Sequence, residues 1–255
     1  MDKPSVRAEP VVAVVLGGGA DALARELGVA AKALVPLRGQ PMGAYVLDAL
    51  AESGCVTRSI YVGPDEGLKA HLGTSLRVPA GARLTDSLAL GLGAALALAP
   101  ERLLLLSADL PWLNSSSVDA FIRDAPKADL VYPVIPRAAT EAQFPAQKRT
   151  YARVREGEFT GGNLVLLKPG AVAALLPFMD RLYKGRKNPL ALATIFGLDV
   201  VAKLATGRAA VGELERRASR LLGADVRAFI SNDAALGADI DKPAHLASFD
   251  LPGRD

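Results

Sequence analysis

The sequence predicts an α/β fold of three layers, with helices on both faces of a mostly parallel, Rossmann-like sheet. Three observations carry this. Short, wholly apolar runs recur along the chain, helical patterns separate them, and the composition is rich in Ala, Leu and Gly with only 5% aromatic residues. Strands without polar alternation belong to sheets covered on both faces. Alternating strands and helices close such sheets through right-handed crossovers.

The strand candidates run in order: VVAVVL at 11–16, SIYVG at 59–63, RLLLLSAD at 102–109, DLVYPVIP at 129–136, NLVLLKP at 163–169 and DVRAFIS at 225–231. Helix candidates lie between them near 42–53, 85–99, 115–124, 170–182 and 211–222. Pro41 and Asn114-Ser115 supply start signals, the first by its fixed φ and the second by a side chain that accepts from orphan N–H groups. Two stretches break the alternation. From Arg137 to Arg155 the chain is polar, and TYARV and FTGGNL then flank Arg155-Glu156-Gly157-Glu158 as a β-hairpin. From Tyr183 to Arg220 the pattern is helical, with Asn188-Pro189 opening an apolar helix that carries Leu190, Leu192, Ile195, Phe196 and Val200. The reading is one domain over 1–255, with an excursion at 137–162 and a helical insertion at 183–222. The insertion suits a lid over the site or a homo-oligomer surface.

Half of the 255 residues are hydrophobic and 22% are charged, enough for a large core and unlike a disordered chain. The net charge is +3 with scattered basic residues, so nucleic acid is not the expected partner. A single cysteine, Cys55, forms no intrachain disulfide, and His71 with His245 cannot build a zinc cluster. A reducing cytoplasm fits this usage. The N-terminal MDKPSVRAEP has no apolar signal core, and the longest uncharged stretches fall short of the ~20 residues of a spanning helix.

The first strand ends in Leu16-Gly17-Gly18-Gly19, where backbone N–H groups can close on phosphate oxygens; a tight strand-to-helix turn has the same appearance. Ala20-Asp21-Ala22 lacks the Lys-Ser/Thr of a P-loop. The spacing Gly17-x-Gly19-x-x-Ala22 permits a dinucleotide fingerprint, but Lys32, Pro36, Gly39 and Pro41 stand where that fold needs its second strand. Lys32, on a second loop, offers a mobile ammonium to the β- and γ-phosphates. Asp109 closes RLLLLSAD at the carboxyl end of a strand, where ligands sit in such sheets.

The succession of LGGG, KALVPLRGQPM, SADLP at 107–111, TGGNLVLLKPG at 160–170 and DIDKPAHL at 239–246 resembles the MobA-like NTP transferases. These include the molybdenum-cofactor, sugar-phosphate and methylerythritol-phosphate nucleotidyltransferases, on a GT-A-like fold. The resemblance implies an NTP on Leu16, Gly17, Gly18, Gly19 and Lys32, and Mg²⁺ on Asp109 with a second contact from Asp241. Asp239, two residues away in an extended segment, faces the same side; a cap for a helix starting at Pro243 is the other use of Asp241. RLTDSLALGLGAAL at 83–96 looks like the cytidylyltransferase stretch near the base, which makes Asp86 and Ser87 base contacts and CTP the nucleotide, or else helix caps. Gly161, Gly162 and Asn163 resemble the loop that meets a phosphorylated acceptor. Lys148 and Arg149 either clamp that phosphate or are solvated. The family's arginine after the glycines is replaced by Leu23, with Arg25 the nearest substitute for a catalytic role beside Lys32 and Asp109.

The reaction this resemblance implies is in-line attack of an acceptor phosphate on the α-phosphate of an NTP, with pyrophosphate leaving toward Lys32. Two other classes share the fold: a nucleotide-sugar glycosyltransferase, which has less need of a triphosphate cradle, and a non-catalytic nucleotide-binding protein that has lost the arginine.

Overall fold

The structure, a computed structural model, describes residues 10–19, 21–185 and 194–250. Its strands are β1 (Val11–Leu16), β2 (Pro36–Leu37), β3 (Gln40–Pro41), β4 (Val56–Val62), β5 (Leu76–Val78), β6 (Arg102–Ser107), β7 (Leu130–Pro136), β8 (Ala152–Val154), β9 (Gly157–Gly161), β10 (Leu164–Leu167) and β11 (Val226–Ile230). Nine of them form one mixed sheet in the order β5-β4-β1-β6-β10-β7-β9-β8, with β11 paired to β7. β1 lies inside it, Val14 facing Ile60 on one side and Leu105 on the other, both parallel. Only an apolar strand can hold that place, because both its faces are covered.

The helices α1 (Ala22–Glu26), α2 (Met42–Glu52), α3 (Leu84–Leu96), α4 (Ser115–Asp124), α5 (Arg137–Gln143) and α6 (Val172–Gly185) are followed by Leu198–Ala205, Val211–Leu222 and Pro243–Asp250. On one face Leu47 and Leu50 of α2 and Phe121 of α4 cover Ala13, Val15, Leu104 and Val131. On the other, Leu88 and Leu92 of α3, Leu175 and Phe178 of α6 and Leu222 cover Val12, Val14, Leu103 and Leu105. Alternate residues of each strand thus feed separate cores, as the period of two requires.

β9 and β10 form one antiparallel path. It pairs with β7 at Val134↔Gly161, and again at Val131↔Leu166. Between those pairs the path holds two residues more than β7, so it bulges at Gly162-Asn163 before passing between β6 and β7. The bulge is pinned by Gly162 N–H to Pro133 O at 2.9 Å and Asn163 N–H to Leu236 O at 2.9 Å.

Three segments differ from the sequence reading. α5 occupies the polar start of the excursion; its RAATEAQ sequence hides the helix, which Arg137 and Glu141 brace one turn apart at 2.7 Å. The hairpin turn is Arg155-Glu156, because Val154 already pairs with Gly157. β4 begins at Val56, through the polar Thr57 and Arg58. In the insertion, Asn188-Pro189, Leu190 and Leu192 lie outside the described residues, whereas Ile195 and Phe196 pack against the second core and Val200 is buried. Among the described residues no helix is long and apolar enough to cross a membrane.

Candidate active site

The glycine loop and the lysine turn are one unit. Lys32 opens a 3₁₀ turn, Lys32–Leu34, whose N–H groups donate back into the loop: Lys32 to Gly19 O at 3.3 Å and Ala33 to Gly17 O at 3.2 Å. Gly17 must be glycine, since a Cβ there would stand 2.4 Å from the hydroxyl of buried Tyr61. These contacts aim the Lys32 ammonium across the carboxyl ends of β1 and β6.

There Lys32 Nζ meets Asp109 Oδ2 at 2.6 Å and also bonds Asp241, with Asp21 at 3.9 Å. The lysine is 8% exposed. Burial opposes its charge, but the fields and hydrogen bonds of Asp109 and Asp241 overcome this and raise its pKa. Asp109 is fixed twice more: Ser107 Oγ donates to its other carboxylate oxygen, and its carbonyl accepts from Ile240 N–H at 3.1 Å. That backbone bond brings the 239–241 segment to the end of β6.

Asp239 takes a different partner, Arg149, whose guanidinium also reaches Gly161 O at 3.1 Å and Thr160 Oγ1 at 3.4 Å. Burial first, then the charges of Asp109 and Asp241, push Asp239 up to about 6 against the pull of Arg149. Burial acts the same way on Asp241, but Lys32 holds it below the usual carboxylate range. Asp241 turns its carboxylate to Lys32, while its backbone N–H donates to His245 Nδ1 at 3.4 Å. One oxygen each from Asp109, Asp239 and Asp241 falls within 4.8 Å of the others. Such an all-oxygen, anionic set fits a hard divalent cation better than a soft one.

A cavity of about 380 Å³ opens beside this cluster, lined by Leu16, Gly17, Gly18, Lys32, Asp109 and Asn163 among others. Most of the residues expected from the sequence therefore converge on one place. Gly162 lines the cavity, and its neighbour Gly161 accepts from Arg149. Others are not part of its wall. Asp86 caps α3, accepting from Arg83 N–H at 3.1 Å and pairing with that guanidinium at 2.7 Å, and Ser87 Oγ accepts from Gly81 N–H at 3.0 Å. Lys148 is exposed, as is Arg25 on α1. Leu23 is buried with Val35, Met42, Ile240 and Phe249, so the place of the family arginine belongs to a small core under the C-terminal helix. Sequence reasoning missed Ser107, Tyr132, Leu84 and Met179, all in the cavity wall. Tyr132, the one amphipathic residue in DLVYPVIP, carried a readable signal.

The family model for the MobA-like NTP transferase domain matches residues 13–222. A transferase from Thermus thermophilus, described as hypothetical, is 42% identical, with a TM-score of 0.84, and the match covers 93% of this chain and 99% of that one. The fold is also that of a 4-diphosphocytidyl-2C-methyl-D-erythritol synthase from Anaerococcus prevotii, at 13% identity, TM-score 0.60 and 96% coverage of each chain. A 2-C-methyl-D-erythritol 4-phosphate cytidylyltransferase from Thermus thermophilus matches at 14% identity and TM-score 0.52, over 94% of this chain and 97% of that one. No curated relative matches the chain. With the family model spanning most of its length and the glycine loop, lysine and carboxylates gathered at one end of the central strands, this chain belongs to the MobA-like NTP transferase family and is an enzyme of the nucleotidyltransferase class.

Proposed function

We propose that the protein transfers a nucleoside monophosphate from an NTP to a phosphorylated small molecule, with Mg²⁺ held by Asp109, Asp241 and Asp239. The observation that carries this reading is the single cluster in which Lys32 bridges Asp109 and Asp241 beside a glycine-lined cavity. In it, Gly17–Gly19 and Lys32 receive the triphosphate, the lysine as a point charge on the leaving phosphates. Arg25 is the further cation on that side. Arg149, with the Gly161–Asn163 bulge and Lys148, receives the acceptor phosphate. When bound, Mg²⁺ neutralises charge on the reacting phosphates as a Lewis acid.

The chemistry asks little of the protein beyond position and charge. An ionised acceptor phosphate is already a nucleophile, so no general base is required; its oxygen bonds to the α-phosphorus as the bond to the pyrophosphate oxygen breaks. The likeness of the 83–96 stretch to the cytidylyltransferases makes CTP the leading nucleotide, and Leu84, the first residue of α3, offers the base an apolar wall. The test is incubation with Mg²⁺, each of the four NTPs and a panel of phosphorylated acceptors, read by pyrophosphate release. Release that needs both NTP and acceptor supports the transfer. NTP binding without release under every condition overturns it in favour of a nucleotide-binding protein, and turnover of nucleotide sugars in favour of a glycosyltransferase.

A further inference from the structure

A second cavity, about 350 Å³, lies on the same face of the sheet as the first and shares Tyr132 with it. Its floor is Val134, Val154 and Phe159, and the Val211–Leu222 helix roofs it with Leu214 and Ala218. The volume lies in the ~300–1,000 Å³ range of ligand pockets. Glu215, Arg227 and Thr160 on its walls are already engaged: Glu215 accepts from Ala228 N–H at 2.9 Å and sits 3.7 Å from Arg227, while Thr160 accepts from Arg149. A polar ligand would find few open partners, and an apolar one would shed water at no such cost.

Tyr132 ties this cavity to the reacting end. Its hydroxyl lies so close to Gly161 that a Cβ there would stand 2.1 Å away, and the Gly161 carbonyl is the one held by Arg149. The glycine is thus required for the ring to stand as the partition between the two cavities. From these contacts we propose that the acceptor is amphipathic: its phosphate is held at Arg149 and Gly161–Gly162, and its hydrocarbon part passes Tyr132 into the second cavity. This rests on the proposed transfer and specifies its acceptor.

The probe is a series of n-alkyl monophosphates from methyl to hexyl, titrated calorimetrically into the full chain with Mg²⁺, beside inorganic phosphate and NTP. Affinity should climb about fourfold per methylene, the transfer free energy of one buried CH₂ expressed as a ratio. Ala218→Phe, which fills the cavity, should flatten that climb while leaving inorganic phosphate unchanged. Ala228→Leu from the opposite wall serves as the second variant should the first fail to fold. Phosphate binding that is present but indifferent to chain length, or a climb unaltered in a folded variant, overturns this inference alone. Absence of both NTP and phosphate binding overturns the proposed transfer and this inference with it.

Discussion

Lys32 is the residue on which the centre turns, because it is the cation between Asp109 and Asp241. Lys32→Ala would leave Asp109, Asp239 and Asp241 facing one another without the cation that bridges two of them. Removing one member of a buried pair costs about 3 kcal/mol, so the variant should melt well below wild type in chelator. Millimolar Mg²⁺ should then recover more stability in the variant than in wild type, by ordinary binding linkage; equal recovery would mean that the carboxylates do not hold the ion. The same variant should lose affinity for NTP more than for NMP, as calorimetry with both would show. Asp109→Asn keeps the side-chain shape and the Ser107 contact but gives a poorer hard-cation ligand. Turnover should fall more than tenfold, about 1.4 kcal/mol in barrier, with far-ultraviolet dichroism unchanged. What the sequence showed of these residues was their kind, not their meeting. Lys32 and Asp109 stand 77 positions apart and Lys32 and Asp241 209, and no local pattern reports on such distances. Asp86 and Ser87 fell to the competing use that their spacing equally allows, the entry of a helix.

At the scale of elements, polar contacts at helix ends set angles that the apolar layers leave loose. Asp119 of α4 takes the Ser53 hydroxyl and the N–H groups of Gly54 at 3.1 Å and Cys55 at 3.2 Å, tying α4 to the turn between α2 and β4. Burial would raise its pKa, but these donors prevail and lower it. A carboxyl that is more acidic in the folded chain stabilises it above its unfolded value of about 3.9, and that stabilisation disappears as the pH falls through the lowered folded value. Asp119→Ala should therefore cost on the order of 1–3 kcal/mol near neutrality, with the gap in melting temperature from wild type closing toward pH 3. A gap constant from pH 7 to 3 would show that the loss is one of packing. Strands buried on both faces were legible to within a residue or two, because β1 and the four inner residues of β6 are wholly apolar. α5 was not legible: it is held by polar contacts, and its one buried residue is Thr140. Neither was the bulge at Gly162-Asn163, where the glycine pair marks a turn but not the strand exchange it serves.

Over the whole molecule, the site joins pieces from opposite ends of the chain, and the third core makes the joint. Phe249 packs edge-on against Tyr45 at 5.2 Å and Trp112 at 5.1 Å, in the same cluster as Leu23 and Ile240. Through that cluster it helps seat the segment that carries Asp239 and Asp241. Phe249→Ala should cost about 3 kcal/mol or more and weaken Mg²⁺ binding several-fold although the ligands are intact. Unchanged affinity in the folded variant would mean that the Ile240–Asp109 backbone bond suffices to hold the segment. That long-range joint also sets when the carboxylate cluster is assembled. Synthesis proceeds from the N-terminus at ~5–20 residues per second, so the glycine loop, Lys32 and Asp109 emerge well before residues 239–241. Until those arrive, the two aspartates are missing from beside a sheet whose strands, β11 included, have all been synthesised. The emerging chain therefore carries the glycine loop, Lys32 and Asp109 before the carboxylate cluster is complete, and that cluster closes in one late step, when Asp239 and Asp241 dock.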